Sequence, residues 1–343
     1  MAGGADRSGS TSPHAAGSRQ HADHAGPAGS EVFGETDEKI LVFGAGGHIG
    51  EPLAKFMKYK GRGRSLRLAT SVPERMTAMQ EAFPDSEIIC ADYLKLEDMR
   101  RAFSGIARAF VITPDFLDEK RAMANVVAAA RENPSLRQIV RILGDPPGMT
   151  LAKVPERVLA FGRGTAIQHL QARQVLEDSG LPITYLNIAA YLMDDFVRWG
   201  EFIRSSRTLI MPFERHMTWI DSAELGEAAA RIILSRDDRH LDQVYHLNNG
   251  SDYLNFAEVA DMVSDVIQDR VRHEGRTEFW LDLFGPRFIK RYGPGADEYF
   301  REYFAFEQKF HFAFHRSDIL ERLLGRKPKT LRAWLEQNRH HLL

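Results

Sequence analysis

The first half of the chain alternates between two hydrophobic rhythms. Short, almost continuous apolar runs at 39–44, 66–70, 86–90, 107–112 and 136–142 predict strands. Between them, apolar residues at helical spacing predict helices at 48–58, 73–82, 97–103 and 116–131. Strands apolar on both faces and joined through helices predict an α/β fold, a doubly wound parallel sheet covered on both sides with right-handed crossovers. A loop at 144–164, punctuated by Pro146, Pro147, Gly148 and Pro155, is expected to carry a short helix near 155–161. The next helix, 165–179, ends on Gly180 followed by Pro182, and 183–187 predicts another strand.

Beyond residue 190 the rhythm loosens. Short strands are expected at 217–220 and 243–247, Asp221 stands where it would N-cap a helix running to about 234, and helical spacing returns at 256–268 and 329–340. From 279 to 314 the chain is dense in Phe, Tyr and Trp, with Arg287, Lys290, Arg291 and Arg301 between them. Lobe packing, a subunit interface and a pocket for a flat apolar ligand all use such a surface. The expected organisation is a tail at 1–37, a core at 38–190 and a smaller, mostly helical C-terminal substrate lobe at 191–343 with strands returning to the core sheet.

Composition narrows the classes. The tail is Gly, Ala, Ser and His with almost no large apolar side chain, so it is expected to be disordered, and it lacks the apolar core of a secretory signal. His14, His21 and His24 are read as solvated rather than metal-binding. With 45 Lys and Arg against 47 Asp and Glu, the net charge of −2 argues against a nucleic-acid surface, and the basic stretch at 58–67 reads as a solvated loop. No run approaches the roughly 18 apolar residues of a membrane span. The single cysteine, Cys90, follows Ile88 and Ile89 and reads as a buried strand thiol in a reducing, cytoplasmic compartment.

The candidate chemistry begins after the first strand, at Gly44, Ala45, Gly46, Gly47, His48, Ile49 and Gly50. These residues fit G-x-x-G-x-x-G rather than G-x-G-x-x-G. A glycine turn between a strand and a helix sets main-chain amides against a pyrophosphate, so a dinucleotide is the expected ligand, against the alternative of a tight turn that binds nothing. At the end of the second strand no carboxylate stands ready for a ribose diol. Ser71 and Arg75 suit a 2′-phosphate instead, which favours NADP(H) over NAD(H). Asp92 with Tyr93 is placed for an adenine edge, and Thr113 with Pro114 for the nicotinamide half; loop capping competes for both. No metal set is expected, since neither His311 with His315 nor His340 with His341 has a third ligand, and there is no Gly-x-Ser-x-Gly elbow.

The chain resembles the NmrA-like group of atypical short-chain dehydrogenases/reductases over roughly residues 38 to 340. The resemblance rests on the glycine turn, Cys90-Ala-Asp92, Val111-Ile-Thr-Pro114, the stretch from Leu176 to Leu186, Trp219 to Leu225, and Phe256 to Ala260. It implies a Rossmann-type core with a small C-terminal lobe and NAD(P) at the strand ends, in reductases of small organic molecules or in redox-sensing regulators. The enzyme pattern uses Tyr-x-x-x-Lys on the helix before the sixth strand, and no such pair occurs here. His169 falls where some members carry lysine, Leu143-Gly144 replaces Ser-Ser, and Leu186-Asn187-Ile188 replaces Leu-Arg-Pro.

The catalytic candidates are therefore His169, whose imidazole titrates near neutrality, and Tyr191, which follows the sixth strand. Asn187 and Asp194 are substrate-side candidates, and Arg173 a clamp or a surface pair. Core packing, capping and structural hydrogen bonds are the competing readings of each. The expected activity is an NAD(P)H-dependent reduction of a small hydrophobic, aromatic or polyketide-like molecule. The alternatives are a non-catalytic dinucleotide sensor or a redox-neutral isomerase or cyclase. The oligomeric state is left open.

Overall fold

The computed structural model of the chain describes residues 38–188, 190–212, 214–309 and 315–343. The expected disordered tail with its three histidines, and His311, lie outside the described residues. In the first half, β1 (Lys39–Phe43), α1 (Gly50–Tyr59), β2 (Leu66–Thr70), α2 (Met76–Ala82), β3 (Glu87–Cys90) and α3 (Leu96–Phe103) follow the two rhythms. So do β4 (Ile106–Val111), α4 (Glu119–Arg131), β5 (Gln138–Leu143), α5 (Glu156–Leu159), α6 (Thr165–Glu177) and β6 (Ile183–Asn187).

The second half continues with β7 (Tyr191–Leu192), α7 (Asp195–Ser206), β8 (Thr208–Ile210), β9 (Met217–Ile220), α8 (Ser222–Leu234) and β10 (Val244–His246). It ends with β11 (Tyr253–Leu254), α9 (Phe256–Ile267), β12 (Arg272–Glu274), α10 (Thr277–Tyr292), α11 (Ala296–Lys309), α12 (Ile319–Leu324) and α13 (Leu331–Gln337).

Seven strands form one parallel sheet in the order β3-β2-β1-β4-β5-β6-β10. The order turns back between β1 and β4, which opens a crevice at the carboxyl ends of the strands. This is a Rossmann-type α/β fold with a helical C-terminal region. Successive residues of β1 serve opposite faces: Ile40 and Val42 join the apolar layer with α1, α8 and α12, while Leu41 and Phe43 join the layer with α3, α4 and α6. That double burial is why the strands read as unbroken apolar runs.

Two expectations are corrected. Cys90 is half-buried rather than buried, because β3 is the outermost strand on its side of the sheet. The helix expected at 329–340 is shorter, with α13 giving way to a 3₁₀ turn at Arg339–His341. Asp221 does cap α8, accepting from the Ala223 amide at 3.0 Å.

The aromatic stretch folds as α10 and α11, and its rings pack mainly on one another and on the core. Trp280 stacks on Phe288 at 5.2 Å between ring centroids, and Tyr292 stacks on Phe116 at 4.0 Å. Phe116, in the loop after β4, has φ +64°, a conformation costly for a bulky side chain. Gln168 of α6 holds it there, accepting from the Phe116 amide at 3.0 Å.

Candidate functional site

The glycine turn stands at the carboxyl end of β1, at the reversal of strand order. Gly44 has φ +69°, and a Cβ there would meet Ile112 Cγ2 at 2.7 Å. A Cβ on Gly50 would lie 2.3 Å from the Gly44 carbonyl oxygen, so the opening turn of α1 sits directly on the end of β1. The Gly47 amide closes the turn on Gly44 O at 2.9 Å. Among the described residues nothing accepts from the Gly46 or His48 amides, and no side chain caps α1. Ala45 and Ile49 are buried beneath the turn, while Gly44 and His48 are exposed. The result is a cradle of unbonded main-chain amides at a helix N-terminus, which fits an anionic diphosphate.

Arg75 leans over this cradle, its Cδ 3.8 Å from where a Gly46 Cβ would stand. It is exposed, and no carboxylate pairs with it among the described residues. Ser71, also exposed, follows the end of β2 on the same side.

Asp92 spends Oδ1 on the Leu94 amide at 2.9 Å, as a loop-capping residue does. Tyr93 turns inward. Its ring stacks on Phe43 at 4.5 Å and its hydroxyl donates to Ile112 O at 2.9 Å, so it supports the crevice from below. Pro114 is exposed beside Thr113. Thr113 donates to the Glu119 carboxylate at 2.9 Å and accepts from Arg141 at 2.9 Å. Arg141 and Glu119 are wholly buried and paired. A charge in the middle of an apolar strand, Arg141 in β5, was the sequence signal for this network, since a buried guanidinium requires a partner.

At the end of β5 the structure assembles a polar group that the sequence reading missed. Asp145 is 4% exposed, and its Oδ2 has no partner among the described residues. Asn187 of β6 grips the Asp145 backbone from both sides, accepting from its amide at 3.0 Å and donating to its carbonyl at 2.7 Å. Asn187 thereby works as a structural clamp and also meets His246 Nδ1 at 3.1 Å. Burial pushes the Asp145 carboxyl up to about 7, against the opposing charges of Arg173 and Arg141.

His169 lies against Gly144, where an added Cβ would be 3.0 Å from Nε2, and its Nδ1 has no partner among the described residues. The missing side chain at 144 is the space the imidazole occupies. Burial, helped by Arg141, pushes His169 down to about 3, so it is neutral at physiological pH and is no imidazolium donor there. Arg173 forms a pair with Glu177 at 2.7 Å.

Tyr191 and Asp194 belong to other networks. Tyr191 packs on Trp219 and Phe256 and bonds Arg215, which pairs with Glu307 inside the lobe, so burial raises its hydroxyl. Asp194 stands at the N-cap position of α7 without capping it and instead meets His48 Nδ1 at 3.0 Å. That bond raises the His48 pKa and ties the glycine turn to the segment after β6. Among the described residues no group of three or more His, Cys, Asp or Glu is arranged to hold a metal, and no helix is long and apolar enough to cross a membrane.

The model of the NmrA-like family matches residues 36–281. A search of curated proteins found no match. Among solved structures, triphenylmethane reductase from Citrobacter sp., complexed with NADP(H), aligns with TM-score 0.70 and 22% identity over 87% of this chain and 99% of that one. The NADPH-dependent quinone oxidoreductase of Escherichia coli, complexed with NADPH, gives 0.67 and 18% over 88% and 99%. NmrA, a negative transcriptional regulator in complex with NADP, gives 0.67 and 14% over 88% and 95%. At these identities the likenesses show the fold.

Proposed function

Since the chain belongs to the NmrA-like family, we propose that it binds NADP(H) and reduces a flat, hydrophobic small molecule. The carrying observation is the cradle at Gly44–Gly50, where Gly44 and Gly50 have no room for a Cβ and the amides of Gly46 and His48 meet an uncapped helix start. Three structural neighbours that hold NADP or NADPH support the same ligand class. The residues present fit the group: the turn would hold the diphosphate, Arg75 and Ser71 would take the 2′-phosphate, and the strand ends of β4 and β5 would receive the nicotinamide half.

When bound, the dinucleotide supplies hydride chemistry. The chain's own part is to orient and to exclude water. Neutral His169 can donate one hydrogen bond to a developing oxyanion, as an electrophile rather than an acid. A second reading, a dinucleotide sensor without turnover, is favoured by the loss of the Tyr–Lys pair and by that neutrality. Such a sensor must bind the two redox forms unequally.

Calorimetric titration with NADPH, NADP⁺, NADH and NAD⁺ tests the proposal. The phosphate forms should bind more tightly, Arg75→Ala should weaken them by about ten- to a hundred-fold while leaving NADH unchanged, and Gly50→Val should abolish binding. Failure of all four nucleotides to bind at millimolar concentration overturns the reading. Steady NADPH oxidation across quinones, enones and aldehydes separates the reductase from the sensor.

A further inference from the structure

Asp145 is buried, and its Oδ2 has no hydrogen-bond partner among the described residues. Its backbone is fixed by the Asn187 clamp, so the carboxyl is held at the end of β5 by bonds that leave the side chain itself unengaged. The groups facing it are already committed or neutral. Arg141 of β5 serves Glu119 of α4 and Thr113, Arg173 of α6 serves Glu177, His169 of α6 is uncharged, and His246 of β10 meets Asn187. A buried carboxyl in this state needs either a proton or a new cation.

The cation it lacks has a natural source, given the dinucleotide reading on which this inference rests. With Ser71 and Arg75 at the end of β2 to hold a 2′-phosphate, the nicotinamide half would fall on the other side of the crevice, toward the ends of β4 and β5, where Asp145 stands. The oxidised nicotinamide ring carries a positive charge and the reduced ring is neutral. We propose that Asp145 reads the charge of the nicotinamide ring, its carboxylate favouring the oxidised form of the bound dinucleotide and its protonated form showing no such preference. Binding of the oxidised form then expels a proton from Asp145, and binding of the reduced form does not. Because burial places the Asp145 proton at about pH 7, the preference is set by pH in the range where proteins work.

The test measures the affinities of NADP⁺ and NADPH between pH 6 and pH 9. Taking the ratio of the two cancels the titration of the 2′-phosphate, which both forms share. In the parent protein the preference for NADP⁺ should rise with pH through about 7 by on the order of ten-fold. Calorimetry in buffers of different ionisation enthalpy should show more proton release on binding NADP⁺ than on binding NADPH, the 2′-phosphate contribution being common to both. In Asp145→Asn the ratio should stay at its low-pH value at every pH. A flat ratio in the parent, with both forms bound, overturns the assignment whatever the variant does, and so does an unchanged pH slope in Asp145→Asn. If neither form binds, the dinucleotide reading itself has failed.

Discussion

At the scale of single residues, the site is shaped as much by missing side chains as by present ones. Gly144 makes room for His169, and the two positions have to be read together: a serine at 144 would press its Cβ against the ring. The exchange leaves the site with a neutral imidazole and moves the titrating group next door, to Asp145. A stability prediction follows from the sign of that shift. The native Asp145 pKa, about 7, lies above the unfolded value of 3.8, so the native state holds more protons between these pH values and stability falls as pH rises through them. Asp145→Asn removes this loss. Its gain in unfolding free energy over the parent should grow by about 3 kcal/mol between pH 5 and pH 8 and stay level above, as read from urea midpoints at each pH. A gap that shrinks with pH would contradict the assignment.

At the scale of elements, α1 matters because its N-terminus is the binding end, and α8 is what holds it. The two helices touch at backbone distance: a Cβ on Gly226 would lie 2.6 Å from Leu53 N and 2.9 Å from the Pro52 Cβ. Leu225, Ala228, Ala229 and Ile232 fill the rest of that interface without solvent exposure. Gly226→Leu should therefore wedge α8 off α1 and lower the unfolding free energy by about 1–3 kcal/mol. Dinucleotide affinity should fall with it, although residue 226 is not in the cradle, and denaturation and titration of the same variant check both effects. The elements that sequence reading missed are informative in the same way. α7 runs unrecognised because Phe196, Trp199, Phe202 and Ile203 sit among charged residues. α10 continues through Pro286, which sequence rules place at a break.

At the scale of the whole molecule, segments beyond residue 190 pack on the core sheet and its helices. β10 completes the sheet beyond β6: Gln243 O takes the Tyr185 amide at 2.8 Å, and the Leu247 amide donates to Asn187 O at 2.9 Å. α8 covers one face of the core, and the bond between His48 and Asp194 joins the glycine turn to α7. A chain ending at residue 190 would expose the apolar face of α1 and the edge of β6. It should show no cooperative thermal transition by circular dichroism, where the full chain unfolds cooperatively. A sharp transition in the truncated chain would show that the core folds without residues 191–343.

The parallel sheet, its strand positions and the glycine turn were legible in the chain itself, because they follow from local periodicity and from backbone conformations that only small residues allow. The sixth strand, the cap at Asp221 and the absence of Tyr-x-x-x-Lys could also be read directly. What only tertiary structure decided was the electrostatic state of each side chain. His169 became neutral and Asp145 became the titrating group because burial is set by the packing of segments distant in sequence, with Arg173 of α6 and Glu119 of α4 adding their charges around Asp145 from other elements. Tyr93, Asn187 and Asp194 took their present partners for the same reason: a hydrogen bond needs a partner at a distance and angle that spacing along one chain does not specify.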